Sequence, residues 1–310
     1  MRNQLHINDG LVSVSGAQMS KGKRIKAINA DDPTSNTTVP HPLLIQAVPI
    51  DDHCTGDRWS AQDEAHLARL IAIIAMGQAA YAAHLLQQLL PAGPAFTDND
   101  LRREAKVKLT VQKDGKKPRT GYPQWQRDGF IFEVISWIAA RQAHGMRVLL
   151  QDPHVSATSQ GLDGLMIELA DDKSRVVMTT VFEDKCTERP REMFLNKVIP
   201  AFLERHQNKR SAELVSSASV LLRIAGIDDA SAARIAAAVM DRNQRRYRAA
   251  FALTKEHDSQ ENLQKLFEGY DALDGVSAMQ RIGAGLIVKG KLREWFDQLA
   301  LRAIVYLDDL

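Results

Sequence analysis

The chain has 310 residues, 45% of them hydrophobic and 25% charged. That length buries about 75% of an extended chain's surface in one large domain or two modest ones, so no disulfide or metal staple is needed for folding, and the composition excludes collagen-like, fibrous and wholly disordered chains. A net charge of +2 from 40 basic and 38 acidic side chains is too near balance to mark the whole chain as a polyanion binder.

In chain order, residues 1–58 read as an irregular N-terminal arm, rich in Ser, Asn, Thr and Gly, with one brief alternation from Leu11 to Ser15 that suits an edge strand. Met1 to Asp9 lacks the apolar core of a secretory signal. Cys54 and Cys186 fall in no recurrent spacing, and together these features predict a cytoplasmic protein with reduced thiols. Ser60 is a candidate N-cap for a helix running to Leu90, where Pro91-Ala92-Gly93-Pro94 stops it. Its stretch from Leu67 is the longest apolar one, but Arg69, Gln78, His84, Gln87 and Gln88 interrupt it, so a buried helix and not a membrane span is expected.

Lys106 to Val111 alternates as a short strand, followed by an exposed basic turn through Asp114-Gly115-Lys116-Lys117-Pro118. Between Leu101 and Asp128 nine basic residues face three acidic ones. Positive charge clustered in this way is a footprint that nucleic acid could use, with Arg102, Arg103, Lys106, Lys108, Lys116, Lys117 and Arg119 as backbone-holding candidates and Tyr122 and Trp125 as candidate stacking rings. A second basic run spans Arg234 to Arg248. For either run alone, solvated loops and helix faces account for the charge equally well.

Trp125 to His144 carries apolar residues at helical spacing and ends at Gly145; Met146 to Leu150 and Leu165 to Leu169 read as strands. Asp171 to Arg175 is a hairpin loop, and Val176 to Lys185 is dense in β-forming residues. Thr187 is a candidate cap for a helix to about Gln207 with a kink at Pro200. The rest, 211–310, reads as a mainly helical part packed on the preceding core (59–210), with strands at Tyr247–Leu253 and Gly285–Val288 and a last helix from Lys291.

Alternation puts Glu183 and Lys185 on one side of their strand and Asp184 on the other, while Asp163 enters the partner strand of the hairpin and reaches the Glu183 side. Paired carboxylates repel unless a proton or a hard divalent cation separates them, so Mg²⁺ (or Mn²⁺) is the natural occupant, with the Asp184 backbone carbonyl as a third ligand. A lysine beside that ion can orient or deprotonate water, or stabilise developing negative charge, as phosphodiester hydrolysis requires.

Gly161-Leu162-Asp163-Gly164-Leu165 followed by Val181-Phe182-Glu183-Asp184-Lys185 resembles the PD-(D/E)xK nuclease superfamily, and Glu133 on the upstream helix matches the acidic residue many members carry there. The resemblance covers about 125–207 and departs from the family name at Leu162, where proline would stand. It implies an α/β fold, a restriction-endonuclease-like mixed sheet flanked by helices with additional helices, and metal-dependent cleavage of DNA or RNA, of which DNA is the expected substrate. Asp163 and Glu183 would then be metal ligands, Lys185 would act on the attacking water, and Glu133 would be an auxiliary metal or water-orienting group. With no G-x-x-x-x-G-K-[ST] loop in the chain, nucleotide-driven work would fall to a partner helicase, ATPase or sensor, by analogy with effectors of bacterial antiviral or restriction systems. The competing expectation is a non-catalytic nucleic-acid-binding or assembly subunit of the same fold.

Leu221 to Ile235 somewhat resembles a helix-hairpin-helix, with Asp228 where the second glycine would be; an ordinary packing unit is the plainer reading.

Overall fold

The computed structural model describes residues 41–87, 93–115, 117–155 and 161–310; the expected strand at Leu11–Ser15, most of the arm and Lys116 lie outside them. The strands are β1 (Leu43–Pro49), β2 (Thr55–Ala61), β3 (Leu149–Leu150), β4 (Gly164–Leu169), β5 (Val176–Lys185), β6 (Arg245–Thr254) and β7 (Arg281–Val288). They form one mixed sheet in the order β1-β2-β7-β6-β5-β4-β3. The inner run β2-β7-β6-β5 is parallel, and antiparallel pairs close both margins.

The helices are α1 (Glu64–Ala75), α2 (Ala79–Leu86), α3 (Asn99–Leu109), α4 (Gln124–His144), α5 (Pro190–Met193), α6 (Ile199–His206), α7 (Ser211–Ile224), α8 (Asp229–Ala236), α9 (Gln260–Phe267) and α10 (Leu292–Asp308). Both sheet faces are covered, as parallel strands require. One core joins α1, α2, α4 and α10 to Trp59, Met166, Phe182 and Ala250. The other joins α6 to α9 to Leu165, Val181, Tyr247 and Phe251. Helices thus sandwich a mixed sheet in an α/β fold. Among the described residues no helix is long and apolar enough to cross a membrane.

Five features differ from the sequence reading. β1 and β2 occupy 43–61, inside the expected arm and over Ser60, because β2 pairs with β7 and its hydrogen bonds come from residues far along the chain. The long first helix is two helices broken at Gly77, whose φ of 82° no regular helix accommodates; its cap is Asp63, accepting from the His66 N–H at 2.9 Å. Residues 106–109 end α3 and form no strand: Asp98 caps that helix, and Ala105, Lys108 and Leu109 bury at helical spacing. The expected helix to Gln207 is irregular at a π-helical turn, Phe194–Val198, and Pro200 stands in the first turn of α6 that follows it. Most consequential, β6 and β7 lie in the middle of the sheet, so the C-terminal third completes the core and is not packed onto a finished one.

Candidate active site

The backbone around Asp163 admits few sequences. Gly161 has φ 146°, a conformation that side chains with a Cβ rarely adopt, and a Cβ on Gly164 would sit 2.6 Å from the Phe182 ring. Gly164 therefore lets β4 start hard against β5, opposite Phe182, and the next step of that ladder brings Asp163 level with Glu183. The Asp184 N–H donates to Asp163 Oδ2 at 2.8 Å and fixes the carboxylate over the end of β5.

Three of the four expected catalytic side chains meet. Lys185 Nζ lies 2.5 Å from Asp163 Oδ2 and 2.7 Å from Glu183 Oε2. Burial alone would lower the lysine's pKa, but the two carboxylates outweigh it and hold Lys185 protonated, above its usual range. Its ammonium is a donor here and no base. Glu183 is nearly sealed: its other oxygen, Oε1, accepts from Arg205 of α6 at 2.7 Å, and burial pushes its pKa upward against the pull of Lys185. Arg205 itself is buried, with 1% of its side chain exposed.

Asp184 faces the other way, as alternation requires. Its carboxylate lies under α4, 3.4 Å from Arg248, which also donates to Ser136, and burial pushes its pKa up to about 7. Arg248 stacks over Phe182 with its guanidinium 3.4 Å from the ring centroid.

Glu133 does not join the cluster by contact. Its Oε1 accepts both the backbone N–H (2.7 Å) and the ring Nδ1 (2.9 Å) of His154. The Glu133 hydrogen bond raises the pKa of His154 against burial, and the charges of Asp163 and Glu213 add to it. The glutamate thus sits one residue behind the site and anchors the loop that follows β3.

The basic stretch is only partly available to a ligand. Lys108 is turned inward and donates to the Ala75 carbonyl at 2.7 Å, satisfying the end of α1. Arg102 bonds Asn99, Arg103 pairs with Asp100, and Lys106 with Asp308. Lys117 and Arg119 are exposed. Of the rings, Tyr122 is buried beneath Arg119, whereas Trp125 is 64% exposed. The second basic run is largely structural: Arg245 is fully buried and donates to the carbonyls of Arg205 and Val239, Arg246 pairs with Glu168, and Arg248 serves Asp184. In the helix-hairpin-helix candidate, Asp228 accepts from the Ser231 N–H at 3.0 Å and caps α8, a role that uses up the position a phosphate would need.

Sequence reasoning missed Arg205, His154 and Arg248. Arg205 had a signal: it follows Val198 and Phe202 on the apolar stripe, and an arginine on a buried stripe demands an acidic partner. His154 had none, because its partner is on a distant helix.

The donor set suits a hard divalent ion. Among the described residues no three His, Cys, Asp or Glu side chains meet to cage a metal. Two carboxylates converge on one cationic point, and Mg²⁺ is ordinarily held by one or two carboxylates, with water and phosphate oxygens filling the remaining positions. Comparison of the chain with protein-family models, with curated proteins and with solved structures returns no match.

Proposed function

We propose that the chain is a metal-dependent nuclease that hydrolyses phosphodiester bonds, of DNA ahead of RNA. One observation carries the reading: Asp163 and Glu183, brought from two strands, share a single cation position at the end of β5, and that cation is Lys185. Asp163, the Oε2 side of Glu183 and the Asp184 carbonyl would hold Mg²⁺ or Mn²⁺, which when bound polarises a phosphate oxygen and acidifies water. Lys185, kept charged by its neighbours, donates to an attacking water or to an anionic phosphate oxygen. Arg205 is a positioning residue: it holds one Glu183 oxygen and leaves the other facing Lys185. Glu133 acts indirectly, by placing His154.

Purified protein is expected to cut plasmid or linear DNA with Mg²⁺ and to stop on chelation. Asp163→Asn and Lys185→Ala are each expected to lose on the order of 10²–10³-fold in cleavage rate. Cutting at the wild-type rate by either variant refutes the roles assigned.

A second reading, a nucleic-acid-binding subunit without hydrolysis, draws on the cluster's balance: two carboxylates already meet two cations, Lys185 and Arg205. Calorimetric titration with Mn²⁺ separates the readings, since only the nuclease binds the ion and loses it in Asp163→Asn.

A further inference from the structure

A groove of about 690 Å³ lies between α3 and the loop that leads into α4, with Val155 in its wall. Its volume is that of a pocket for a small organic ligand. Val107, Pro118, Tyr122 and Val155 give it an apolar lining, and Arg103, Lys106 and Arg119 stand over that lining against one acid, Glu104. The Arg119 guanidinium lies 4.7 Å from the Tyr122 ring centroid, which holds this planar, stacking-capable group at the edge of the lining.

The walls are built to hold their shape. The loop is closed by backbone hydrogen bonds from Gln112 N–H to the Tyr122 carbonyl (2.8 Å) and from Tyr122 N–H to the Thr110 carbonyl (2.9 Å). The Gln112 side chain accepts from the Thr120 and Gly121 N–H groups, and a Cβ on Gly121 would meet the Thr110 carbonyl oxygen at 2.5 Å. At its other end the groove reaches Val155, the neighbour of His154, whose Nε2 would lie 3.6 Å from a Cβ on Gly161, two residues before Asp163.

We infer that this groove binds an unpaired nucleotide of a single-stranded polynucleotide whose chain continues toward Asp163. The inference rests on the nucleic-acid reading above and names the substrate class. Apolar walls with a cationic rim match a base and its phosphate separately: the base face needs an apolar, stacking surface and the phosphate a cation. A duplex offers the rim its phosphates but keeps its base faces stacked inside, so it cannot use the lining. The partners of the rim cations are no obstacle: Arg103–Asp100 and Lys106–Asp308 are surface pairs, which hold weakly and exchange readily for a polyanion.

Fluorescence anisotropy in chelator tests this without hydrolysis, using the whole chain, a twelve-nucleotide oligo(dT), oligo(U) of the same length, a duplex of that length and an oligo(dT) with abasic central positions. Oligo(dT) or oligo(U) is expected to bind tighter than the duplex. Arg119→Ala and Val155→Glu, both at exposed positions, are expected to weaken single-strand binding by about tenfold, and the abasic strand by a similar factor. Duplex binding equal to or tighter than both single strands overturns the proposal, as does unchanged binding by Arg119→Ala, an abasic strand that binds like the intact one, or no binding of any oligonucleotide. Failure of Mg²⁺-dependent cleavage with these binding results intact would reject the nuclease and leave the groove standing.

Discussion

The last residues of β5 put two carboxylates into opposite environments one residue apart. Glu183 points toward α6 and shares Lys185 with Asp163, whose side chain and that of Lys185 are each 24% exposed. Asp184 points toward α4, where Arg248 and Ser136 answer it and no more than 2% of its side chain is exposed. The first face keeps one cation, Lys185, that a ligand can reach and rearrange. The second keeps a cation that nothing outside the protein can replace. Carboxylates one residue apart therefore meet a reachable cation on one face and a sealed one on the other, and the strand's period of two makes the division.

The largest test breaks the sealed side. Above pH 7, where Asp184 is ionised, Arg248→Ala leaves it buried without its cation and strips the cover from Phe182, and a loss of about 3–5 kcal/mol in urea-unfolding stability is expected. A loss below about 1 kcal/mol there would mean that Asp184 has no need of Arg248. The pH dependence sharpens the point. Burial raises the Asp184 pKa in the fold to about 7, against about 3.9 in the unfolded chain. The fold thus favours the protonated form, and stability from this group is complete below the unfolded value and lost as pH rises toward 7. Relative to Asp184→Asn, wild-type stability is expected to fall by up to about 4 kcal/mol between pH 4 and 7. Parallel curves for the two proteins would contradict the burial argument.

The open side predicts the reverse pairing of effects. Asp163→Asn keeps an oxygen for the Asp184 N–H and leaves Lys185 its bond to Glu183, so stability is expected to change by less than about 1 kcal/mol while cleavage falls by the factor given above. Stability lost together with cleavage would make Asp163 a structural residue and erase the contrast between the faces.

How far this was readable beforehand follows the range of the interactions. Asp163, Glu183 and Lys185 lie within one hairpin, so period-two alternation and the flanking glycines brought them together on paper. The sealed side stayed invisible because Ser136, Asp184 and Arg248 come from three segments whose meeting depends on β6 pairing in parallel with β5. The same long-range pairing hid β2, where Gly56-Asp57 reads as loop until β7 supplies the hydrogen bonds, and with it β1, whose partner is β2. Lys106 to Val111 misled for a local reason: Lys-Val-Lys-Leu alternates in polarity, but the methylene stem of Lys108 is a buried surface and its ammonium finds the Ala75 carbonyl. Charge counts erred in the same direction, since the run ending at Arg248 includes arginines that hold the core together.

The smallest expected effect concerns α8, where a motif reading and a capping reading give different numbers. Asp228 accepts from the Ser231 N–H, and that bond, reinforced by the helix N-terminus, holds its carboxyl below the usual carboxylate range. As a cap, Asp228→Ala should lower stability in urea unfolding slightly and leave oligonucleotide affinity as it was. As a phosphate-binding turn with a misplaced negative charge, the same change should strengthen binding and Asp228→Gly should strengthen it further. Anisotropy on the two variants decides between them, and the present geometry, with the carboxylate already committed to the backbone, predicts no gain in either.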